Sequence, residues 1–483
     1  MLISLKVWEL FSYQGMRAFL VFYLIEAFAL GDAQAAMMFG SYAALVLATS
    51  VLGGYCADRW LGPKEPMGVG AILIMAGHST LAAENALTGL HLVNRPVAFQ
   101  IFCLALALIA VGTGLLKPNV LTMIGRLYRA DDPKREFGYY GYYVGVNIGS
   151  FLAPIVCGGL ASHFGWGWGF GAAAIGMALG LISFLLGRGL VRPAEGTLIA
   201  AGKSTPRARI YLLVAAAVAV AAWLVQHGLA LGILLAATVA AGSGILIMRA
   251  RSSEDPNDLP KVMRFFLLLP VPIFFELLFE QLSITVNLFS DRAVERSLFG
   301  IPVTAPQLLS LNSLFVLALL PLLGGLWARL ARWGREPTPF AKFAIGFVFV
   351  ALAFAILIVA AGSGASGARI PLLWIVTAYL AMTLGELCIA PSTFAMVGKM
   401  VPDRYAGVAM GLTLLSFSAG NFLASVLAGT VVLPKAFSVQ DAKLSYGAFF
   451  AAPMVIALVF AATCRLFGQL AQGSHGRSLG ARR

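Results

Sequence analysis

Glu386 lies in the run LLWIVTAYLAMTLGELCIAPSTFAMV, an otherwise apolar stretch long enough to cross a bilayer. A carboxylate at that depth costs about 2.5–3.5 kcal/mol even on conservative scales, so a membrane protein keeps one to bind, to pair or to carry protons. Other apolar stretches hold residues of the same kind. The first carries Glu9, Tyr13, Gln14 and Arg17, the fourth Lys117, and the fifth Asn147 beside Tyr139, Tyr140, Tyr142 and Tyr143. The ninth carries Glu276 and Glu280, and the tenth Asn312. A purely structural ion network is the competing reading, but apolar residues can often replace buried ion pairs without loss. Two cations and several carboxylates spread over both halves of the chain read instead as one central polar cavity where the halves meet.

The elements that position these side chains are membrane spans. Of 483 residues 60% are hydrophobic and 11% charged, too little polar surface for a soluble protein of this size. Stretches of roughly 20 apolar residues, enough to span a bilayer, begin near Val7, Ala35, Met67, Val97, Tyr139, Trp166, Ile210, Leu229, Val262, Pro306, Phe340, Pro371, Arg404 and Tyr446. The fold class is all-α, with about fourteen transmembrane helices. No cleavage pattern precedes the first span, so that span itself is expected to direct insertion.

Lys and Arg gather at Arg59 and Lys64, in 126–135, 188–209, 249–264 and 329–342, at Lys399 with Arg404, and in the tail at Arg477, Arg482 and Arg483. All lie on one side, and the positive-inside rule puts both termini in the cytoplasm. The net charge of +13 is thereby explained without nucleic acid. Cys56, Cys103, Cys157, Cys388 and Cys464 sit in or beside apolar runs with neither metal-site nor disulfide spacing. His78 is alone in its span, and His91, His163, His227 and His475 show no ligand spacing, so neither an enzyme nor a metal or cofactor site is expected.

Two plain segments rich in Ala, Val and Leu, 210–225 and 229–248, stand between polar stretches and look lipid-facing. Setting them aside leaves six spans on either side, the parallel-repeat plan of many secondary transporters. The expected domains are an N-terminal six-helix bundle (1–190), a linker with two additional helices (191–260), a C-terminal six-helix bundle (261–472) and a cytoplasmic tail (473–483). No residue-level repeat is evident, so the duplication rests on span count.

Seven segments in order resemble the proton-dependent oligopeptide transporters of the major facilitator superfamily. They are ELFSYQGMR from Glu9 to Arg17, GGYCADRWLG from Gly53, GTGLLKPNV around Lys117, FGYYGYYVGVNIGSFLAP around Asn147, FELLFEQ around Glu280, QLLSLN ending at Asn312, and GELCIAPS around Glu386. The resemblance implies the major facilitator fold with two extra helices between the bundles, and a site for zwitterionic di- and tripeptides. By position, Glu386, Asn147 and Asn312 would take the peptide ammonium. Arg17, with its bidentate fork, and Lys117, a point charge, would take the carboxylate, with Tyr13 beside them. Lys117 and Glu280 would correspond to the family's inter-bundle ion pair, whose making and breaking accompanies alternating access.

The first span departs from the family's Glu-x-x-Glu-Arg, having Lys6, Glu9 and Leu10 there. Leu47, Gln14, Glu276 and Thr413 stand where the family has pocket aromatics. The expected coupling and gating set is therefore Glu9, Glu276, Glu280 and Lys117, with the essential carboxylate moved to the ninth span and Lys6 a cytoplasmic-side helix charge. The function this implies is import of di- and tripeptides by proton symport, by a monomer in the bacterial inner membrane whose partners are peptide, protons and lipid. Carriage of another zwitterionic metabolite, and a proton-uncoupled facilitator or transceptor, are the alternatives on the same fold.

Overall fold

The computed structural model describes residues 1–128, 132, 134–189, 207–298, 300–365, 367–434 and 436–480. Most of the expected polar linker between the sixth and seventh spans, along with Arg129, Arg482 and Arg483 of the basic clusters, lies outside the described residues. Among the described residues, thirteen helical segments are long and apolar enough to cross a membrane. They follow α1 (Leu2–Glu26), which is 25 residues long but carries Lys6, Glu9, Arg17 and Glu26. The thirteen are α2 (Asp32–Leu61), α3 (Lys64–Gly89), α4 (Arg95–Arg126), α5 (Gly138–Phe164), α6 (Trp166–Gly187), α7 (Arg207–Gln226) and α8 (Gly228–Arg251), then α9 (Asp258–Ala293), α10 (Ala305–Arg332), α11 (Pro339–Gly362), α12 (Leu372–Met400), α13 (Asp403–Ala428) and α14 (Val439–Gly468). Each of the fourteen expected spans corresponds to one of these helices. Short strand pairs, Val294–Glu295 with Ile370–Pro371 and Ser297–Leu298 with Ile301–Pro302, tie loops in place.

By packing, the chain divides into two compact units, Met1–Ala237 with Thr304–Ser313 and Thr238–Val303 with Leu314–Arg483. In the first unit α4 is central, packed on α2, α3 and the peripheral α7. The plain helices are among the least enclosed: 28% of the apolar window of α7 and 17% of that of α8 is buried, against 72% for α4. This is the lipid-facing behaviour that their uniform composition predicts.

Lipid gives helices no hydrophobic reason to associate, so close packing of small residues has to do it. A Cβ on Gly53 of α2 would stand 2.0 Å from the carbonyl oxygen of Gly114 on α4, and one on Gly70 of α3 would stand 2.5 Å from that of Gly112. Thr49 Oγ1 donates to the Ala110 carbonyl at 2.9 Å along the same seam. Pro118 has no N–H to give the Gly114 carbonyl four residues earlier, and this is the carbonyl that Gly53 backs onto. Asn119 Nδ2 donates to the Leu115 carbonyl at 2.7 Å. Against α1, a Cβ on Gly149 of α5 would lie 2.4 Å from the Val7 carbonyl oxygen.

The second unit repeats the device. A Cβ on Gly385 of α12 would stand 2.8 Å from the Gly346 carbonyl of α11, and one on Gly420 of α13 would lie 2.6 Å from the Ile273 carbonyl of α9. α9 itself is discontinuous. Its helical pieces Asp258–Phe266, Pro270–Phe279 and Thr285–Ala293 are separated by turns, with Pro270 and Pro272 after the first break and a 3-10 turn over Glu280–Leu282 at the second. The start of α9 is fastened by the fully buried Asp258, whose Oδ2 accepts bonds from Ser253 Oγ (2.8 Å), from Tyr405 Oη (2.9 Å) and from the Arg404 guanidinium.

These contacts predict that Gly53→Ala, which must push α2 from α4, lowers stability by about 1–3 kcal/mol, the usual cost of overpacking. Gly54→Ala is the control, since its Cβ would meet nothing closer than the Pro118 Cβ at 4.0 Å. Thermal unfolding of the detergent-solubilised protein should separate the two variants, and equal midpoints would refute the seam.

Candidate functional site

The first unit holds Tyr13, Arg17, Lys117, Asn147 and Asn312, and the second Glu276, Glu280 and Glu386. α1 brings Glu9, Tyr13 and Arg17 onto one face, four residues apart, the spacing that aligns side chains on a helix. The Arg17 guanidinium is buried between two rings, 5.6 Å from the centroid of Tyr13 and 5.1 Å from that of Phe39. Both rings are within reach of a cation–π attraction. Tyr42 of α2 packs beside Tyr13 with centroids 6.2 Å apart. Neither Phe39 nor Tyr42 is apparent from sequence, because only packing of α2 on α1 brings them to Arg17.

Lys6 stands differently from its expected place as a cytoplasmic-side helix charge: it is 1% exposed and its ammonium is bonded to the carboxylate of Glu9, which is also 1% exposed. Lys117 is half-buried on α4, one residue before Pro118 inside the same helix and three after the Gly114 contact. Asn147 is buried on α5, its Nδ2 donating to the Tyr143 carbonyl at 2.9 Å and its position set by the Gly149 contact with α1. Asn312 is half-buried near the start of α10, in the stretch that belongs to the first unit. That stretch is held by Gln307, whose Nε2 donates to the Ile155 carbonyl of α5 at 3.2 Å.

In the second unit Glu386 follows the Gly385 contact directly and is half-buried, five residues before Pro391 inside α12. Glu276 and Glu280 sit in unlike surroundings. Glu276 Oε1 accepts a bond from Asn421 Nδ2 of α13 at 2.9 Å. Glu280, 3% exposed, opens the 3-10 turn of α9. The next residue anchors that turn: Gln281 Nε2 donates to the Ala424 carbonyl of α13 at 3.0 Å, and its Oε1 accepts from Thr285 Oγ1 at 2.9 Å. Asn421 is a polar neighbour of Glu276 that a scan of intramembrane polar residues would have found, as a lone amide in an apolar span.

Glu84 and His78 are among the buried polar groups that fall outside the expected set. Glu84 of α3, 1% exposed, accepts bonds from Tyr23 Oη of α1 at 2.6 Å and from Thr88 Oγ1 at 3.1 Å. His78 is fully buried, and among the described residues neither ring nitrogen has a hydrogen-bond partner. No group of three or more His, Cys, Asp or Glu side chains placed to hold a metal ion occurs among the described residues.

The chain as a whole matches a known family. The sequence model of the POT family fits residues 67–443. The dipeptide and tripeptide permease A of Chromobacterium violaceum is 31% identical over 90% of this chain and 85% of its own length. Among solved structures, a mutant form of the peptide transporter POT in complex with alafosfalin superposes with a TM-score of 0.81 at 29% identity, covering 97% of this chain and 94% of its own. A POT family transporter in complex with 5-aminolevulinic acid superposes with a TM-score of 0.80 at 25% identity, over 96% and 95% of the two chains. The fold is thus that of the major facilitator carriers, the chain is a multi-pass membrane transporter and not an enzyme, and it belongs to the POT family.

Proposed function

We propose that this protein imports di- and tripeptides by proton symport with alternating access, recognising the charged ends of a zwitterion rather than its side chains. The observation that carries the reading is the division of charge: Arg17 and Lys117 belong to the first unit, and Glu276, Glu280 and Glu386 to the second. A peptide offers a carboxylate at one end and an ammonium at the other. Arg17, between its two rings, and Lys117 take the carboxylate. Glu386, with Asn147 and Asn312 as neutral acceptors, takes the ammonium, and Tyr13 lines the site. The dipeptide and tripeptide permease A relative and the alafosfalin-bound structure support a peptide-sized zwitterion as substrate.

Coupling falls to the carboxylates of α9. Glu280 exchanges Lys117 for a proton as the carrier alternates, and Glu276 supports it from one turn away. The protein works as a monomer in the bacterial inner membrane with both termini in the cytoplasm, the side on which the basic loops fall. A carrier for a smaller amino acid-like zwitterion is the second reading, favoured by the 5-aminolevulinic acid complex of a relative.

Glu386→Gln should weaken dipeptide binding by about 1.5–3 kcal/mol, the worth of a hydrogen bond to a charged group. An N-acetylated dipeptide should lose the same amount on the wild type and nothing further on the variant. Equal binding of free and acetylated dialanine by the wild type, in counterflow competition, would remove Glu386 from the ammonium site; preference for 5-aminolevulinic acid over dialanine would favour the second reading.

For coupling, an inward proton gradient across proteoliposomes should accelerate dialanine uptake by the wild type and leave Glu280→Gln unaffected, with counterflow retained in the variant. A wild type indifferent to the gradient would mark a facilitator.

A further inference from the structure

α1 buries two opposite charges of its own. Lys6 and Glu9 lie three residues apart on one face, each 1% exposed and bonded to the other. The helix carrying them is pressed against α5: a Cβ on Gly145 would lie 2.8 Å from the Ile3 side chain, and one on Gly149 2.4 Å from the Val7 carbonyl oxygen. Tyr142 on α5 interacts with both members and Tyr42 on α2 with Glu9, while on α1 Tyr13 stands one turn from Glu9 on the same face and Arg17 one turn beyond it. Phenols are neutral near physiological pH, so none of the three tyrosines supplies a compensating charge, and Lys6 is the cation bonded to Glu9. Placing a proton on Glu9 would leave the Lys6 ammonium buried without its counter-charge, and stranding one member of a buried pair is far costlier than removing both.

We propose that Lys6 and Glu9 form a self-contained, net-neutral pair throughout transport, and that Lys6 is the positioning residue that withholds Glu9 from the proton path. This rests on the carrier reading above and deepens it, because the transported proton is then left to the carboxylates of α9. The pair also explains how α1 keeps a carboxylate where Leu10 supplies no adjacent cation.

The test compares wild type, Lys6→Gln, Glu9→Gln and the double variant in proteoliposomes, using labelled dialanine in counterflow and in gradient-driven uptake. Each single variant should lose counterflow by about tenfold or more, because it strands a buried charge, and the double variant should recover most of it. The double variant should also keep the wild-type ratio of driven to undriven uptake, because neither charge then lies on the proton path. A double variant that regains counterflow but loses its response to the gradient would make Glu9 the proton carrier and overturn the proposal. A double variant as poor as the singles would overturn it too, by showing that the two charges answer to other partners. Should the wild type move no dialanine, the carrier reading fails and the withholding with it, while the pairing is still decided by thermal unfolding: both singles below wild type and the double restored, or not.

Discussion

Backbone-to-backbone contact at glycine is the constraint on which the rest of the structure depends. A bundle in lipid is held by packing density and polar contacts, and both require helices to approach closely. What is specific to this chain is where the approach is made. Gly114 lies three residues before Lys117, Gly149 two after Asn147, Gly385 one before Glu386, and Gly420 against the backbone of Ile273 and the side chain of Glu276. Four of the polar side chains that a carrier would use thus emerge beside points where two backbones touch. At such points a helix can neither rotate nor slide without a clash, so the charge it carries is placed by covalent geometry rather than by a flexible side chain alone.

Proline complements glycine in this arrangement. Pro118 and Pro391 each follow a candidate site residue by one to five positions, and Pro270 and Pro272 precede Glu276 on the same helix. Pro118 and Pro391, inside their helices, each leave a carbonyl without its helical donor. In a span that is tolerable only where the surrounding protein covers the freed group, and Gly53 covers Gly114 in this way. Rigid contacts and local breaks therefore occur side by side, which suits helices that must hold a charge firmly and still bend.

The fourteen spans were legible because a bilayer imposes length and apolarity on every one of them, and the candidate polar residues because charge inside such a span is conspicuous. What was not legible depends on contacts between distant segments or on local winding. Asn421 meets Glu276 across 145 residues, and Tyr23 meets Glu84 across 61. Lys6 looked like a helix charge at the cytoplasmic side, since nothing in its spacing from Glu9 distinguishes a buried pair from an exposed one. The 3-10 turn at Glu280 carries no glycine or proline of its own, being held instead by Gln281 reaching to α13.

That turn changes how the two acids of α9 relate. The Glu280 N–H still bonds the Glu276 carbonyl, so the two acids stand one α-helical turn apart, but they are not equivalent. Glu276 is tied to the Asn421 amide, while Glu280 begins a segment wound at 3.0 residues per turn rather than 3.6. Each residue that passes from α to 3-10 winding is rotated by about 20° more around the axis. Rewinding the short stretch after Phe279 would therefore turn the Gln281 and Thr285 contacts relative to Glu280 while Glu276 stayed where Asn421 holds it. One acid has a fixed partner on a neighbouring helix, and the other sits at a joint. Of the two, the acid at the joint is the one whose partner can change with the conformation of the carrier.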